Sequence, residues 1–471
     1  VDTGSTLTYV PCAGCGAGCG PHHQRGYDPR ASSTSAAPAC GSPACACGAT
    51  ACGCSAQGDV CTFAREYAEA SSAAGAVVSD VARVPGWQSA LTAAGDAAGA
   101  GGVALPPPAL PRLTFGCATK ETGEIKAQRA AGILGLGDAT TGFAHQLAAA
   151  EGGGSAAFAL CLGGGNRGGG GALILGRDLP PDAAAAVRGP TIEALLVASA
   201  GHPHYYAVAL DGVSFGVDPL AVPASTFADG GHSAVLDSGT TFTYLPPAAF
   251  DAASKAIAAA ADAAALPRVA AARGYGDACF GRLSTDAAIA ATFPNMTLSF
   301  AGGAKLELGP GSYLFRHSDA ADAVCVGLFA APPSKGALLG AVTMRDMMVE
   351  FDAGARRVRM AAADCGAVGD VAREKGRASA ASAAAPGVVS SQPRSKLVTG
   401  LAIAAPFAAL AVGAGVAAAV AARRRAPPAA AAPPLPSPGS HKSMYRPMSA
   451  DEDEEAAVGL ELGTREKGGE S

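Results

Sequence analysis

The sequence predicts a mostly β chain folded as two similar lobes, followed by one transmembrane helix near the C-terminus. Three observations carry that reading. One eleven-residue phrase is written twice, VDTGSTLTYVP at 1–11 and LDSGTTFTYLP at 236–246, with six identical positions and five exchanges between similar residues. Apolar runs of strand length, bounded by Gly, Pro or Asp, dominate up to residue 365. The stretch 397–422 then runs 26 residues without a charge.

A chain of 471 residues is too long for one ordinary core. Its 49% apolar and 15% charged residues mark it as globular rather than disordered. Much of the apolar share is alanine, and 63 residues are glycine, so periodicity inside the Ala/Gly runs carries little weight. The net charge of −5 offers no basic surface and argues against nucleic acid as a partner.

The two lobes are expected over 1–190 and 191–365. The strand-like runs are VCTFAREY, RLTFGCA, GALILG, HYYAVALDGVSF, MTLSFAGG, KLELG, AVCVGLF and MVEFD. Helices are few: FAHQLAAAE at 143–151, and a longer one at 246–266 with prolines at its start and Pro267 after its end. The glycine runs at 152–154, 163–165 and 168–171 are loops. Each lobe opens on an Asp-x-Gly element and later carries two apolar residues and a glycine, AGILGLG at 131–137 and GALLGAV at 336–342. A repeat of this length implies two similar units facing each other.

Nine of the 14 cysteines precede residue 62, and the others are Cys117, Cys161, Cys279, Cys325 and Cys365. Nine is odd, so one of the first cluster either pairs outside it or stays free. A metal site is the rival reading, since CAGCGAGC and CACGATACGC have short spacings and His22 and His23 follow the first. The cluster lacks two cleanly spaced ligand pairs, which favours disulfides and no metal.

A helix over 397–422 reaches about 39 Å, enough to cross a bilayer with tilt. Arg423, Arg424 and Arg425 follow it, against Arg394 and Lys396 on the other side, and put the tail in the cytosol. The protein is then single-pass type I, in the secretory or endomembrane system or at the cell surface, with its lobes lumenal or extracellular. Residues 366–396 read as a stalk and 423–471 as a disordered cytoplasmic tail with an acidic run at 451–455. In that tail YRPM fits a Y-x-x-apolar sorting signal as readily as an idle segment. The sequon NMT makes Asn295 a glycosylation acceptor on the lumenal side, unless its strand buries it. The sequence opens without Met one residue before Asp2, which leads to the expectation that an N-terminal part with a signal peptide is missing.

The duplication has a chemical reason. Asp2 and Asp237 on equivalent tight turns, related by an approximate two-fold axis, bring two carboxyls together. Such a pair cannot both ionise near neutrality and shares one proton. The ionised member is the general base on a water; the protonated one donates to a scissile carbonyl. Gly4 and Gly239, after Thr3 and Ser238, allow the sharp turn and bring an amide to each acid. The hydroxyls of Ser5 and Thr240 can bond the outer carboxylate oxygens. No metal or other cofactor is required.

DTGS and DSGT, each followed by Thr-x-Thr-Tyr-x-Pro, together with GILGLG and LLGAV, resemble the pepsin-like aspartic protease family, most of all its nepenthesin-like plant and algal branch. The similarity runs from residue 1 to about 365. It implies a bilobal pepsin-like fold, an endopeptidase with an acid optimum, a polypeptide substrate, and a monomer. REYAEASSAAG at 65–75 resembles the flap hairpin, which makes Tyr67 the flap tyrosine; by itself Tyr67 would read as a half-buried strand aromatic. Tyr9 stands where many relatives carry a tryptophan that steadies the flap tyrosine. The resemblance implies the bridges Cys12–Cys15, Cys117–Cys365 and Cys279–Cys325 and leaves pairing within 40–61 open. RMAAADC at 359–365 matches the family's last strand, and the insert at 91–111 has no counterpart.

Relatives also carry a strand and an Ile-Gly-Thr-Pro turn before the first aspartate, and a removable pro-segment. The first strands of the first lobe are therefore expected to be missing, and a chain beginning at Val1 to be poorly active by itself. The alternative to an enzyme is a catalytically silent homologue that binds a polypeptide or glycan in the cleft. Silent members generally lose an aspartate or its glycine, whereas Asp2, Gly4, Asp237 and Gly239 all stand. An adhesion receptor would explain helix and cysteines but not the duplicated Asp motifs.

Overall fold

The computed structural model describes residues 1–371 apart from 46–51, 56, 68–69, 83–110, 151, 154, 165–169, 232, 271–277, 317–321 and 334. The expected span at 397–422, the cytoplasmic tail and nearly all of the stalk lie outside the described residues, as does most of the 91–111 insert. Among the described residues no helix is long and apolar enough to cross a membrane.

The architecture is mostly β and two-lobed, and the repeated phrases are threaded in the same way. In the first half Asp2 bridges Gly135 in parallel and Tyr9 bridges Ile133 antiparallel. In the second, Asp237 pairs in parallel with Gly340 and Tyr244 antiparallel with Leu338. The apolar-apolar-Gly segment thus passes between the aspartate and the tyrosine of each phrase. Glycine is required there because the backbones touch: a Cβ on Gly135 would lie 2.7 Å from the Thr6 carbonyl carbon, and one on Gly340 would overlap the Phe242 carbonyl.

A ten-stranded sheet carries both halves. Its order is Leu328–Ala330, Thr243–Leu245, Leu338–Gly340, Ala234–Asp237, Ala207–Val208, Val187–Val197, Arg357–Ala363, Met347–Asp352, Phe158–Leu162 and Gly171–Leu175. The halves join where Phe158–Leu162 runs antiparallel to Met347–Asp352, with Leu160 opposite Val349. Beneath this seam Phe158 stacks on Phe351 at 4.9 Å between centroids, and Tyr206 sits edge-on to Phe351 at 4.8 Å. Such aromatic packing contributes beyond its buried area. Tyr206 ties the seam to the first repeat by donating to the Leu136 carbonyl at 3.0 Å.

The first half has its own five-stranded sheet, ordered Tyr9–Pro11, Arg112–Glu121, Ser72–Val81, Cys61–Glu66 and Cys52–Cys54. The second half adds two four-stranded sheets. In one of them Met296–Phe300 buries Met296, Leu298 and Phe300, the period-two pattern of a half-buried strand. The long helix is Pro247–Ala263, starting on two prolines and burying Ala249, Ala253, Ile257 and Ala261, one residue per turn. It stops short of 266 because Ala265 turns left-handed at φ 49°. The first expected helix is Phe143–Ala150. A further helix, Asp286–Thr292, is capped by Thr285, whose side chain accepts from the Ala288 amide at 3.1 Å; its Ala-rich sequence hid it.

The bridges differ from two of those implied by resemblance. Cys12 is bonded to Cys117, not to Cys15, and Cys365 is bonded to Cys161, not to Cys117. Register explains both. Tyr9–Pro11 lies parallel to Arg112–Glu121 with Val10 beside Cys117, which brings the Cα atoms of Cys12 and Cys117 to 4.9 Å. Cys161 stands opposite Met348 at the seam, where the last strand ends, and its Cα is 5.1 Å from that of Cys365. Cys15 closes a small loop with Cys19. Cys279–Cys325 joins residues directly opposite each other on antiparallel strands. Within 40–61 the bridges between described residues are Cys40–Cys54 and Cys45–Cys61, and Cys52 is also disulfide-bonded. Cys12 is therefore the member of the odd cluster that pairs outside it.

The closely grouped sulfurs of Cys40, Cys45 and Cys54 belong to those two neighbouring bridges. His22 is turned elsewhere, with Nε2 2.7 Å from Glu121 Oε2 and Nδ1 against the Ala130 carbonyl.

Candidate active site

Each aspartate is held by its own turn. The Gly4 amide donates to Asp2 Oδ1 at 2.9 Å, and the Ser5 hydroxyl donates to Asp2 Oδ2. In the second half the Gly239 amide donates to Asp237 Oδ1 at 2.8 Å, and the Thr240 hydroxyl to Asp237 Oδ2 at 2.7 Å. An acceptor-only carboxylate bonded on both oxygens by short local donors keeps one orientation.

The two loops interlock. The Thr3 amide donates to Ser238 Oγ at 3.1 Å and the Ser238 amide to Thr3 Oγ1 at 2.9 Å. Thr3 Oγ1 in turn donates to the Leu236 carbonyl at 2.9 Å, and Ser238 Oγ to that of Val1 at 3.1 Å. Each glycine faces the opposite acid. A Cβ on Gly4 would lie 2.7 Å from the Asp237 carboxyl, and one on Gly239 would overlap Asp2 Oδ1. Only glycine lets the carboxyls approach this closely.

Asp2 is buried at 6% exposure and Asp237 is half-buried. Burial, and then the Asp2 charge, push the Asp237 carboxyl well above the usual carboxylate range, outweighing the hydrogen bonds from Thr240 and Gly239.

Tyr67 follows the strand Cys61–Glu66, at a turn closed by its amide on the Ser71 carbonyl at 2.8 Å. It packs against the cluster of Leu7, Tyr9, Phe63 and Val77. Its hydroxyl is held far above its ordinary range by burial, then by the neighbouring Tyr9 hydroxyl and by the Asp2 charge. Tyr9 is fully buried and stacks on Phe63 at 5.7 Å. The structure thus brings Asp2, Asp237, Thr3, Gly4, Ser5, Ser238, Gly239, Thr240, Tyr9 and Tyr67 into one region. Asn295 is remote from it, exposed, with its amide donating to Glu307 Oε1 at 2.6 Å.

Two residues at the site were not singled out from the sequence. The Arg65 guanidinium reaches Thr6 Oγ1 at 3.4 Å. His204 lies close enough to Asp2 and Asp138 to feel both charges. Neither belongs to a repeated motif, so no internal signal marked them.

The family model described as xylanase inhibitor N-terminal matches residues 1–177, and the one described as xylanase inhibitor C-terminal matches 205–362. The chain is 27% identical over 261 residues to aspartic proteinase nepenthesin-2 of Nepenthes gracilis, covering 55% of each protein. It is 26% identical over 263 residues to nepenthesin-1 of the same plant, again 55% of each. With aspartic proteinase 36 of Arabidopsis thaliana it shares 28% over 368 residues, 75% of this chain and 68% of that protein. The match thus spans about half the length of the two nepenthesins. Both lobes, the interlocked Asp loops and these relatives agree: the chain belongs to the pepsin-like aspartic protease family, in its nepenthesin-like branch.

Proposed function

We propose that the protein is an aspartic endopeptidase that hydrolyses peptide bonds in polypeptides at acid pH. The facing carboxyls of Asp2 and Asp237, each crowding the other's glycine, carry this reading. Asp2 is the general base: it takes a proton from a water between the two acids while that water attacks the scissile carbonyl carbon. Asp237, protonated, donates to the carbonyl oxygen. A tetrahedral diol forms, and a proton passes to the amine as the C–N bond breaks. Tyr67 closes over the substrate, steadied by Tyr9, and helps to exclude bulk water. No metal or cofactor takes part in these steps.

The test is cleavage of unfolded protein at about pH 3–5, its abolition by Asp237→Asn, and its inhibition by a statine-type transition-state analogue. A second reading is favoured by the descriptions of the matched family models: a two-lobed protein that binds in its cleft without hydrolysis. Failure of the native chain to cut any unfolded substrate, with the analogue still bound, would favour it.

For location we propose that 397–422 crosses a membrane once with the lobes outside the cytosol, where the six bridges among the described residues are stable. Asn295, exposed just before its strand, is the proposed glycan acceptor. Carbonate extraction of membranes and glycosidase-sensitive mobility check both.

A further inference from the structure

Arg65 is placed where a solvated or paired cation would not be. It stands two residues before Tyr67, and its side chain comes over the first aspartate loop to Thr6 Oγ1. Its Nε is buried without an acceptor, and among the described residues no carboxylate lies within ion-pair distance of it. Asp2, the acid nearby, has both oxygens occupied by Gly4 and Ser5, and Asp138 is engaged by His145 Nε2 at 2.9 Å. A partly desolvated guanidinium with donors unused is costly until an acceptor arrives.

Beside it runs the segment 201–206, strung between the two halves. The Asp138 amide donates to the His204 carbonyl at 2.9 Å, and the Leu236 amide to that of Tyr206 at 3.0 Å. Along this segment His202 stacks on Tyr205 and His204 meets the same ring edge-on, both at 4.7 Å. His204 is pushed down to about 4 by burial, then by the Arg65 and His202 charges, while Asp2 and Asp138 pull it upward. Arg65 and His204 are therefore close enough to repel each other when both are charged. A guanidinium with an unpartnered Nε thus stands over the first aspartate loop, two residues before Tyr67.

We propose that Arg65, with His204 beside it, forms a carboxylate-binding subsite of the cleft. It selects peptides with Asp or Glu at one position close to the scissile bond. A substrate carboxylate would take charge-assisted hydrogen bonds from the planar guanidinium, a geometry that neither amide nor aliphatic side chains reproduce. The inference rests on the peptidase reading and names its substrate class.

The experiment uses the full chain and matched fluorogenic peptides. Glu, Gln or Leu is scanned through three positions on either side of the scissile bond at about pH 5, where a peptide Glu is mostly ionised. At one position the Glu-to-Gln ratio of kcat/KM should be roughly tenfold or more. It should fall to about one in Arg65→Leu and in Arg65→Gln, and partway in Arg65→Lys. A ratio near one at every position, or a ratio unchanged in folded Arg65→Leu or Arg65→Gln, overturns the subsite.

If no peptide is cut at all, the peptidase reading has failed and binding decides the subsite separately. Fluorescence anisotropy then compares each Glu peptide with its Gln twin on Asp237→Asn, with and without Arg65→Gln. Roughly tenfold tighter binding of a Glu peptide that requires Arg65 upholds the subsite; equal affinities overturn it.

Discussion

Thr3 and Ser238 exchange hydrogen bonds across the two halves, the amide of each donating to the hydroxyl of the other at 3.1 and 2.9 Å. The bonds are reciprocal because the two phrases carry a hydroxyl at the same place. They fix the spacing of the aspartates immediately before them. Thr3→Val keeps shape but leaves the Ser238 amide and the Leu236 carbonyl short of a partner. The expected cost is about 1–3 kcal/mol in urea unfolding, with a loss of about tenfold or more in kcat. An unaltered kcat would mean the acids hold their geometry without this link.

Asp237→Asn should leave the fold intact and reduce kcat by at least about a thousandfold. Asparagine fills the same space and keeps the acceptor for Thr240 but supplies no acidic proton. Asp2→Asn should be as severe, because it removes the base. Circular dichroism of each variant, beside its turnover of an unfolded substrate, checks both expectations. Activity retained in either variant would rule out the two-acid mechanism.

Asp237 also sets a pH dependence. Its folded-state carboxyl is raised, by burial and by the Asp2 charge, so between the unfolded and the folded value the native state binds the extra proton. This contribution to stability is fully present below the unfolded value and is lost as pH rises through the folded one. Activity should fall over the same rise, as the acid needed to protonate the carbonyl disappears. Melting temperature against pH for the native chain and Asp237→Asn makes the comparison. The variant, which cannot ionise there, should decline less.

Asp80 should behave in the opposite sense. Burial alone would raise its carboxyl, but hydrogen bonds from Thr34, Tyr27 and Ser32 and from the Val81 amide hold it below the usual range. Tyr27 Oη donates to Asp80 Oδ2 at 2.6 Å and the Val81 amide to Oδ1 at 2.7 Å. Its contribution is present above the unfolded value and lost as pH falls through the lowered one. Asp80→Asn should destabilise the chain by about 1–3 kcal/mol at pH 5 and less in strong acid.

Cys161 and Cys365, 204 residues apart, close the largest loop of any described bridge. Replacing both by Ser should cost about 2–5 kcal/mol of stability. Peptide mapping without reductant should recover Cys12 linked to Cys117 and Cys161 linked to Cys365. A Cys117–Cys365 fragment would contradict the register of the Tyr9–Pro11 strand.

What could be read from the chain was local or repeated. Asp2, Gly4 and Ser5 carry their chemistry within four residues, and the second copy at Asp237 shows that the pattern is no accident. The long helix was legible from its prolines, and Met296–Phe300 as an apolar run of strand length ending in glycines. The helix Asp286–Thr292 was not, because alanine marks no face. Cys12 was assigned a near neighbour because its true partner depends on which strand lies beside Tyr9–Pro11. Arg65 and His204 gave no sign, because nothing in one segment announces which side chain of another stops over it.

The amino-acid sequence by itself determined that there are two aspartate turns, what each turn contains and that each half later carries an apolar-apolar-Gly segment. Those facts follow from short-range backbone geometry and from duplication. The tertiary structure decided what crosses between distant segments: the reciprocal Thr3–Ser238 link, the partners of Cys12 and Cys365, and the reach of Arg65 over the first aspartate loop to Thr6. These depend on strand register and on packing between halves, and a shift of one residue would send each side chain to the other face of its sheet.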